Sequence, residues 1–166
     1  MLEVRLAGGL RLAVDGRELA PPRSRRARAL LAWLALHPGP HARGELAGRF
    51  WPDVLDASAR TSLRAALTEL RAALGPGAAQ LAAGREAVAL DGDELWVDVR
   101  AFERLLAAGA VAEAVETCDG ELLSGMDDDW VHAAREAHAA RMGEALERLA
   151  EEAEPAEAVR RTRAAV

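Results

Sequence analysis

Cysteine, aromatic residues and long apolar runs are all scarce in this chain, and each scarcity narrows what it can be. Cys118 is the one cysteine among 166 residues, so no internal disulfide can form. Its helical Ala/Val/Glu surroundings mark a buried or half-buried thiol rather than a reactive one. Aromatic residues make up 4% of the chain and tyrosine is missing, while the 51% hydrophobic fraction is dominated by Ala and Leu. That composition favours helices over an all-β sandwich. No apolar run approaches the roughly 20 residues of a membrane span, and no signal-peptide pattern opens the sequence. A soluble, cytoplasmic protein with no membrane partner is expected. The length permits one domain or two small ones, and the texture of the sequence favours two.

Support for catalysis is equally thin. The four histidines, His37, His41, His132 and His138, share no metal-ligand spacing with cysteines or carboxylates, and Pro38, Gly39 and Pro40 keep His37 and His41 off a common helical face. "DGDELWVD", Asp91 to Asp98, begins like a calcium loop, but Leu95 occupies the third ligand position and no glutamate closes the pattern. Asp127, Asp128 and Asp129 before Trp130 are accounted for by capping and the helix dipole. "AGGLR" lacks the following helix start that a phosphate loop needs. No enzyme activity, metal or cofactor is expected; a small enzyme would have only the acidic trio to rest on.

What the chain does have is a charge polarity. Residues 1–85 hold 13 arginines against 7 acids, a net of +6, and residues 86–166 hold 8 arginines against 20 acids, a net of -12. A basic half joined to an acidic half suits a nucleic-acid contact coupled to a partner or regulatory module; two independently solvated surfaces would look the same. Along the chain, "LEVRLAGGLRLAVDGREL" alternates apolar and polar residues around Gly8-Gly9 and meets the hairpin dipeptide Asp15-Gly16, which predicts two or three short antiparallel strands. Ser24 can cap a helix reaching about Leu36, with Arg23, Arg25, Arg26 and Arg28 around its first turns. A short helix over Arg43 to Phe50 follows. Asp56 or Ser58 can then cap a long helix that Gly75-Pro76-Gly77 stops. "AQLAA", "EAVAL" and "ELWVDV" spell a β-hairpin and one further strand.

From Val99 the sequence turns to alanine-rich helix: "RAFERLLAAG", "VAEAVETCDGELL", a run from about Asp129 to Ala153, and a last helix that Pro155 restarts and Val166 leaves in mid-pattern. Paired helices of about 15 to 20 residues suggest a repeat unit that needs neighbours to bury its outer face. The chain is expected to be a fragment or a shortened homologue.

"RTSLRAALTELRAALG", residues 60 to 75, carries the chemistry of greatest interest. At about 100° per residue, Leu63, Leu67, Leu70 and Leu74 share one arc and must face a core. Arg60 and Arg71 lie beside that stripe. Thr61, Arg64, Ala65, Thr68 and Ala72 point outward, with Glu69 at the rim. Small side chains let a helix sit deep in a major groove, where a few Arg and Thr groups reach phosphates and base edges. A solvated helix face is the plainer alternative.

Helix, short helix, "FWPD", the long helix with "LRAALTELRAALG", hairpin and "WVDVRAFERLL" together resemble the DNA-binding half of the antibiotic regulatory protein (SARP) activators. That half is a winged helix similar to the OmpR/PhoB-type output domain. "CDGELLSGMDDDWVHAAREAHAARMGEALERLAEEAE" resembles the start of the bacterial transcriptional activator domain (BTAD), a tetratricopeptide-like (TPR-like) helical array. The resemblance implies an α+β fold: a winged helix-turn-helix over residues 1–97, with N-terminal antiparallel strands and a C-terminal hairpin wing, then an all-α domain over 98–166. It implies that Arg60, Thr61, Arg64, Ala65, Thr68, Glu69 and Arg71 on the long helix, and Arg85 on the wing, form the double-stranded DNA interface. It implies that the loop around Trp51, Asp53 and Asp56 faces RNA polymerase, and that paired protomers occupy direct repeats as a homodimer on DNA. Where family members often carry arginines flanking the Leu70-Arg71 pair, this chain has Glu69 and Ala72. The expected function is therefore a sequence-specific DNA-binding transcriptional regulator, an activator that recruits RNA polymerase. The alternative is a protein-interaction module that kept the winged-helix fold and lost productive DNA contact.

Overall fold

The computed structural model describes the backbone of residues 1–164 and the side chains of residues 1–153. Three antiparallel strands open the chain: β1 (Leu2–Arg5), β2 (Arg11–Val14) and β3 (Arg17–Leu19). Leu2 lies opposite Val14 and Arg5 opposite Arg11, and the alternation turns Leu2 and Val4 into the core. Asp15 and Gly16 both take positive φ, 50° and 77°, the backbone that a two-residue hairpin turn requires.

Helix α1 (Arg25–Leu36) follows, and the Ser24 hydroxyl caps it by accepting the Ala27 N–H at 3.2 Å. From Ala29 to Ala35 every residue of α1 is buried, so this helix runs through the centre of the molecule. A short strand, β4 (His41–Ala42), leads into α2 (Arg43–Phe50) and then α3 (Asp56–Leu74). Neither Asp56 nor Ser58 caps α3. The cap position is Leu55, without a side-chain bond, and Asp56 is instead the first helical residue, where its charge favours the N-terminal dipole. Leu63, Leu67, Leu70 and Leu74 are all buried, and Gly75 (φ 51°) ends the helix.

A 3-10 segment, Gly75–Gln80, connects to β5 (Leu81–Ala83), which pairs with β6 (Ala87–Leu90), and β6 pairs with β4 on its other side. The further strand, β7 (Leu95–Val97), joins the N-terminal sheet as a parallel neighbour of β1, giving the order β3-β2-β1-β7.

The C-terminal part departs from the sequence expectation. Helices α4 (Asp98–Ala107) and α5 (Val111–Thr117) have 10 and 7 residues, shorter than the paired helices of a repeat. Helix α5 stops before Cys118, because the segment from Cys118 to Leu123 turns away to dock on the N-terminal sheet. Leu6 C=O accepts the Leu123 N–H at 2.7 Å, Gly8 N–H donates to Glu121 C=O at 2.9 Å, and Ala7 forms a bridge with Leu122. A Cβ on Gly120 would stand 3.1 Å from the Gly8 Cα, so two glycines let the backbones meet. Helix α6 (Asp129–Ala164) runs on through Pro155 instead of restarting there. The one hydrogen bond lost at the proline frees the carbonyl of Glu151, an exposed residue where water can substitute. The sequence pattern at Val166 lies outside the described residues.

One buried and one half-buried charged residue fasten these parts together. Asp98 is 1% exposed; its Oδ2 accepts the N–H groups of Leu6 and Ala7, each at 2.9 Å, and its Oδ1 accepts that of Val99 at 2.8 Å. Burial raises its pKa, and those same donors partly offset the rise. Arg100 reaches from α4 to the end of α1, donating to the carbonyls of Ala35 and Leu34 at 2.7 and 2.8 Å and to Leu90 at 3.0 Å. Helix α1 has no basic residue in its own last turn, so Arg100 supplies the missing C-terminal cap. Buried apolar residues from Leu2 to Ala145 form one continuous cluster.

Candidate nucleic-acid interface

Burial of the leucine stripe leaves one long face of α3 in solvent. Arg60, Thr61, Arg64, Ala65, Thr68, Arg71 and Ala72 are all exposed. The threonine hydroxyls are engaged locally: Thr61 donates to Ala57 C=O and Thr68 to Arg64 C=O, each at 3.0 Å. Such back-bonding fixes the rotamers and leaves the oxygen lone pairs free to accept.

The arginines are less committed. Arg60 and Arg64 line a concavity of about 970 Å³ together with Arg85 and Arg43. Arg85 projects from the turn of the β5–β6 hairpin, and Arg43 opens α2. The one carboxylate in the lining is Glu86. Among the described residues, none of these four arginines has a carboxylate within ion-pair distance. Four guanidinium groups around one concavity, with a single acid among them, create a strong local positive potential suited to polyanions.

Arg43 was not singled out from the sequence, although its role is definite. Its backbone N–H donates to Glu86 C=O at 2.8 Å and its Nη1 to Gly84 C=O at 2.9 Å. Across the hairpin, Arg71 Nη2 approaches Ala83 C=O at 3.5 Å, the outer limit of a hydrogen bond. Helices α2 and α3 therefore both hold the hairpin that carries Arg85. The sequence marks Arg43 as the start of a short helix, but the hairpin contact is long-range in sequence and no local pattern reports it.

Glu69 does not sit at the outward rim where the helical wheel places it. Its Oε1 accepts the Ser24 N–H at 2.7 Å, 45 positions away in sequence. The carboxylate is thus committed to the start of α1, where its charge also favours that helix's dipole. A wheel gives angle around one helix, not the neighbour that the angle meets.

The arginines around the start of α1 are exposed but not alike. Arg25 lies 3.9 Å from Asp128, and Arg28 donates to the carbonyl of Arg23 at 2.9 Å. The acidic trio is divided: Asp127 faces His132 at 3.3 Å, Asp128 faces Arg25, and Asp129 begins α6. In the loop between α2 and α3, Trp51 is half-buried with its ring against Phe50 and Asp53 is exposed, as is Asp56 at the start of α3. Val54 and Leu55 in the same loop are 47% and 81% exposed, an apolar pair not picked out from the sequence, where neither residue has a patterned neighbour. Cys118 is buried, and burial pushes its thiol up to about 12, which leaves it protonated and unreactive at neutral pH. No described helix is long and apolar enough to cross a membrane.

No family model matches the chain, and no curated protein does so either. Among solved structures, that of Mycobacterium tuberculosis EmbR in complex with a low affinity phosphopeptide is similar, with a TM-score of 0.66 and 23% identity. The likeness covers 87% of this chain and 43% of that one, so this chain spans less than half the length of that protein. At that identity the likeness is one of fold, which in the described residues of this chain is a mixed α/β arrangement with six α-helices and small sheets.

Proposed function

We propose that the chain is a transcriptional regulator of the SARP type that binds duplex DNA through α3 and the β5–β6 hairpin. The observation that carries this reading is the concavity where Arg43, Arg60, Arg64 and Arg85 converge without carboxylate partners. In this reading α3 enters the major groove and Arg60, Arg64 and Arg85 meet phosphates, with Arg64 also in reach of a base edge. The hairpin acts as a wing whose position Arg43 sets. The loop of Trp51, Asp53 and Asp56 faces RNA polymerase, and the exposed Val54 and Leu55 add apolar contact area to it. Two copies occupy direct repeats. The role is one of binding, without catalysis.

The rival reading, a protein-interaction module that has lost DNA contact, drew on Glu69, Ala65 and Ala72. The Glu69 carboxylate accepts the Ser24 N–H, which ties it to the start of α1 and weakens it as an argument against DNA contact. Ala65 and Ala72 remain, and small residues are as compatible with close groove entry as with its loss. The decisive experiment is a genomic-DNA pull-down followed by sequencing. Enriched fragments sharing a direct repeat are expected; enrichment indistinguishable from a bead control would select the interaction module.

A further inference from the structure

A second concavity, of about 660 Å³, opens where the N-terminal and C-terminal parts of the chain meet. It is lined by α4 and α6, by β7 and by the residues that end α1, and its size falls in the range of small-molecule sites, about 300 to 1,000 Å³. Most of the lining is apolar, with Leu36, Leu95, Val97, Leu122, Ala134 and Ala137 as its main surface.

Two cations on α4 share this lining, Arg100 and Arg104, one helical turn apart. Arg100 is half-buried. Its Nε and Nη2 are used on the carbonyls of Ala35, Leu34 and Leu90, and its Nη1 donates to none of the described residues. Neither arginine has a carboxylate within ion-pair distance among the described residues. Like charges one turn apart repel, and carbonyl partners satisfy hydrogen bonds without cancelling charge. Burial accordingly lowers the Arg100 pKa, opposed only by the field of Asp91.

The acids of the cleft do not remove this imbalance. Glu103 is held by Arg141 at 3.0 Å, and Asp91 Oδ1 accepts the Gly92 N–H at 3.0 Å. Arg141 is paired with Glu144 as well as Glu103, which leaves Arg100 and Arg104 as the cations of the lining without a carboxylate partner among the described residues. His138, also in the lining, is held neutral by burial, which lowers its pKa.

We propose that this cleft binds a small amphiphilic carboxylic acid. Its carboxylate would sit between the free Nη1 of Arg100 and the guanidinium of Arg104, and its apolar body would lie along Leu95, Val97, Ala134 and Ala137. Two guanidinium groups without carboxylate partners suit an anionic head, and their N–H groups match the carboxylate fork. The apolar lining selects a ligand with a hydrocarbon tail over a hydrophilic anion such as acetate. The inference stands independently of DNA binding.

Calorimetric titration of the purified chain with octanoate, octanol and acetate tests it. One octanoate is expected to bind per chain, with octanol and acetate each weaker by about tenfold or more, since one lacks the charge and the other the tail. Arg104→Gln should bring octanoate down to the level of octanol. Ala137→Phe, which fills the cleft, should abolish binding of both. Arg104 and Ala137 are exposed, so both variants should melt as the parent does, and thermal melting checks this. Absence of saturable octanoate binding, equal affinity for octanoate and octanol, or undiminished octanoate binding by folded Ala137→Phe would each overturn the proposal.

Discussion

The arginines of the N-terminal and C-terminal parts of this molecule meet different surroundings. All 21 cationic side chains are arginine, so the contrast cannot come from residue type. In the C-terminal part, Arg135 donates to the carbonyls of Leu122, Leu123 and Met126, Arg141 pairs with Glu103 and Glu144, and Arg100 caps α1. These groups hold loops and helix ends in place. In the N-terminal part, Arg60, Arg64 and Arg85 converge on one concavity, and their guanidinium groups have no carboxylate partner among the described residues. Acid supply explains part of the difference, because residues 1–85 have 7 acids for 13 arginines, and one of those acids, Glu69, is withdrawn to cap α1. The same side chain acts as a structural tie where its planar fork meets carbonyls. It is available to an external anion where it is left charged and open to solvent.

Substitutions should separate the two kinds of residue sharply. The largest effect is expected at the ties. Asp98→Ala leaves the buried N–H groups of Leu6 and Ala7 without acceptors, a loss of about 3 kcal/mol or more in unfolding free energy. Arg135→Ala removes three hydrogen bonds at the seam, although Leu123 C=O keeps the Met126 N–H, and about 2 kcal/mol is expected. Urea titration measures both, and stabilities within error of the parent would break the comparison. By contrast, Arg64→Ala should leave the urea midpoint unchanged and weaken binding to the selected duplex by about 1 to 3 kcal/mol. If it weakens random and selected duplexes equally, Arg64 contacts phosphate alone.

Glu69 sharpens the boundary between the two classes, since it lies on α3 beside the exposed arginines yet serves the fold. Glu69→Ala should cost about 1 kcal/mol of stability through the lost bond to Ser24. Glu69→Gln, which keeps an acceptor oxygen, should cost less. Equal melting of all three proteins would return Glu69 to the outward face. The smallest effect concerns pH. Burial lowers the His138 pKa below its usual 6.5, so the unfolded chain takes up that proton first and stability falls as pH drops from about 6.5 toward the folded value. Asp98 acts oppositely in a lower window. Its raised pKa means that stability falls as pH rises from its unfolded value of 3.8 through the folded one. His138→Phe should flatten the dependence of the urea midpoint between about pH 7 and about pH 5; an unchanged slope would assign it to other groups.

How far the sequence discloses all this depends on whether the information is local. The hairpin at Asp15-Gly16, the Ser24 cap, α2 over Arg43–Phe50 and the leucine stripe of α3 follow from turn chemistry and periodicity, and each appears in the structure. The exposed face of Arg60, Arg64 and Thr68 follows from the same wheel. What escapes is contact between distant segments. Cys118 to Leu123 reads as helix but docks on Leu6 to Gly8, Asp98 reads as part of the strand "ELWVDV" but opens α4 and accepts the N–H groups of Leu6 and Ala7 just after β1, and Glu69 reads as a rim charge but caps α1. In each case a polar group finds a tertiary partner that outweighs its local preference. Arg43 shows the same limit at the candidate site, because its target, Gly84, is 41 positions away.

The central claim is that the unpaired arginines of α3 and the hairpin form a polyanion-binding surface. Fluorescence anisotropy of the parent and of an Arg60→Ala/Arg64→Ala/Arg85→Ala variant, on the selected duplex at several salt concentrations, tests it most directly. Each neutralised phosphate contributes about 0.9 to the slope of log K against log salt, so the triple variant should bind more weakly with a slope shallower by roughly 3 and an unchanged melting temperature. Identical slopes for parent and variant, or no duplex binding by the parent at low salt, would contradict the account.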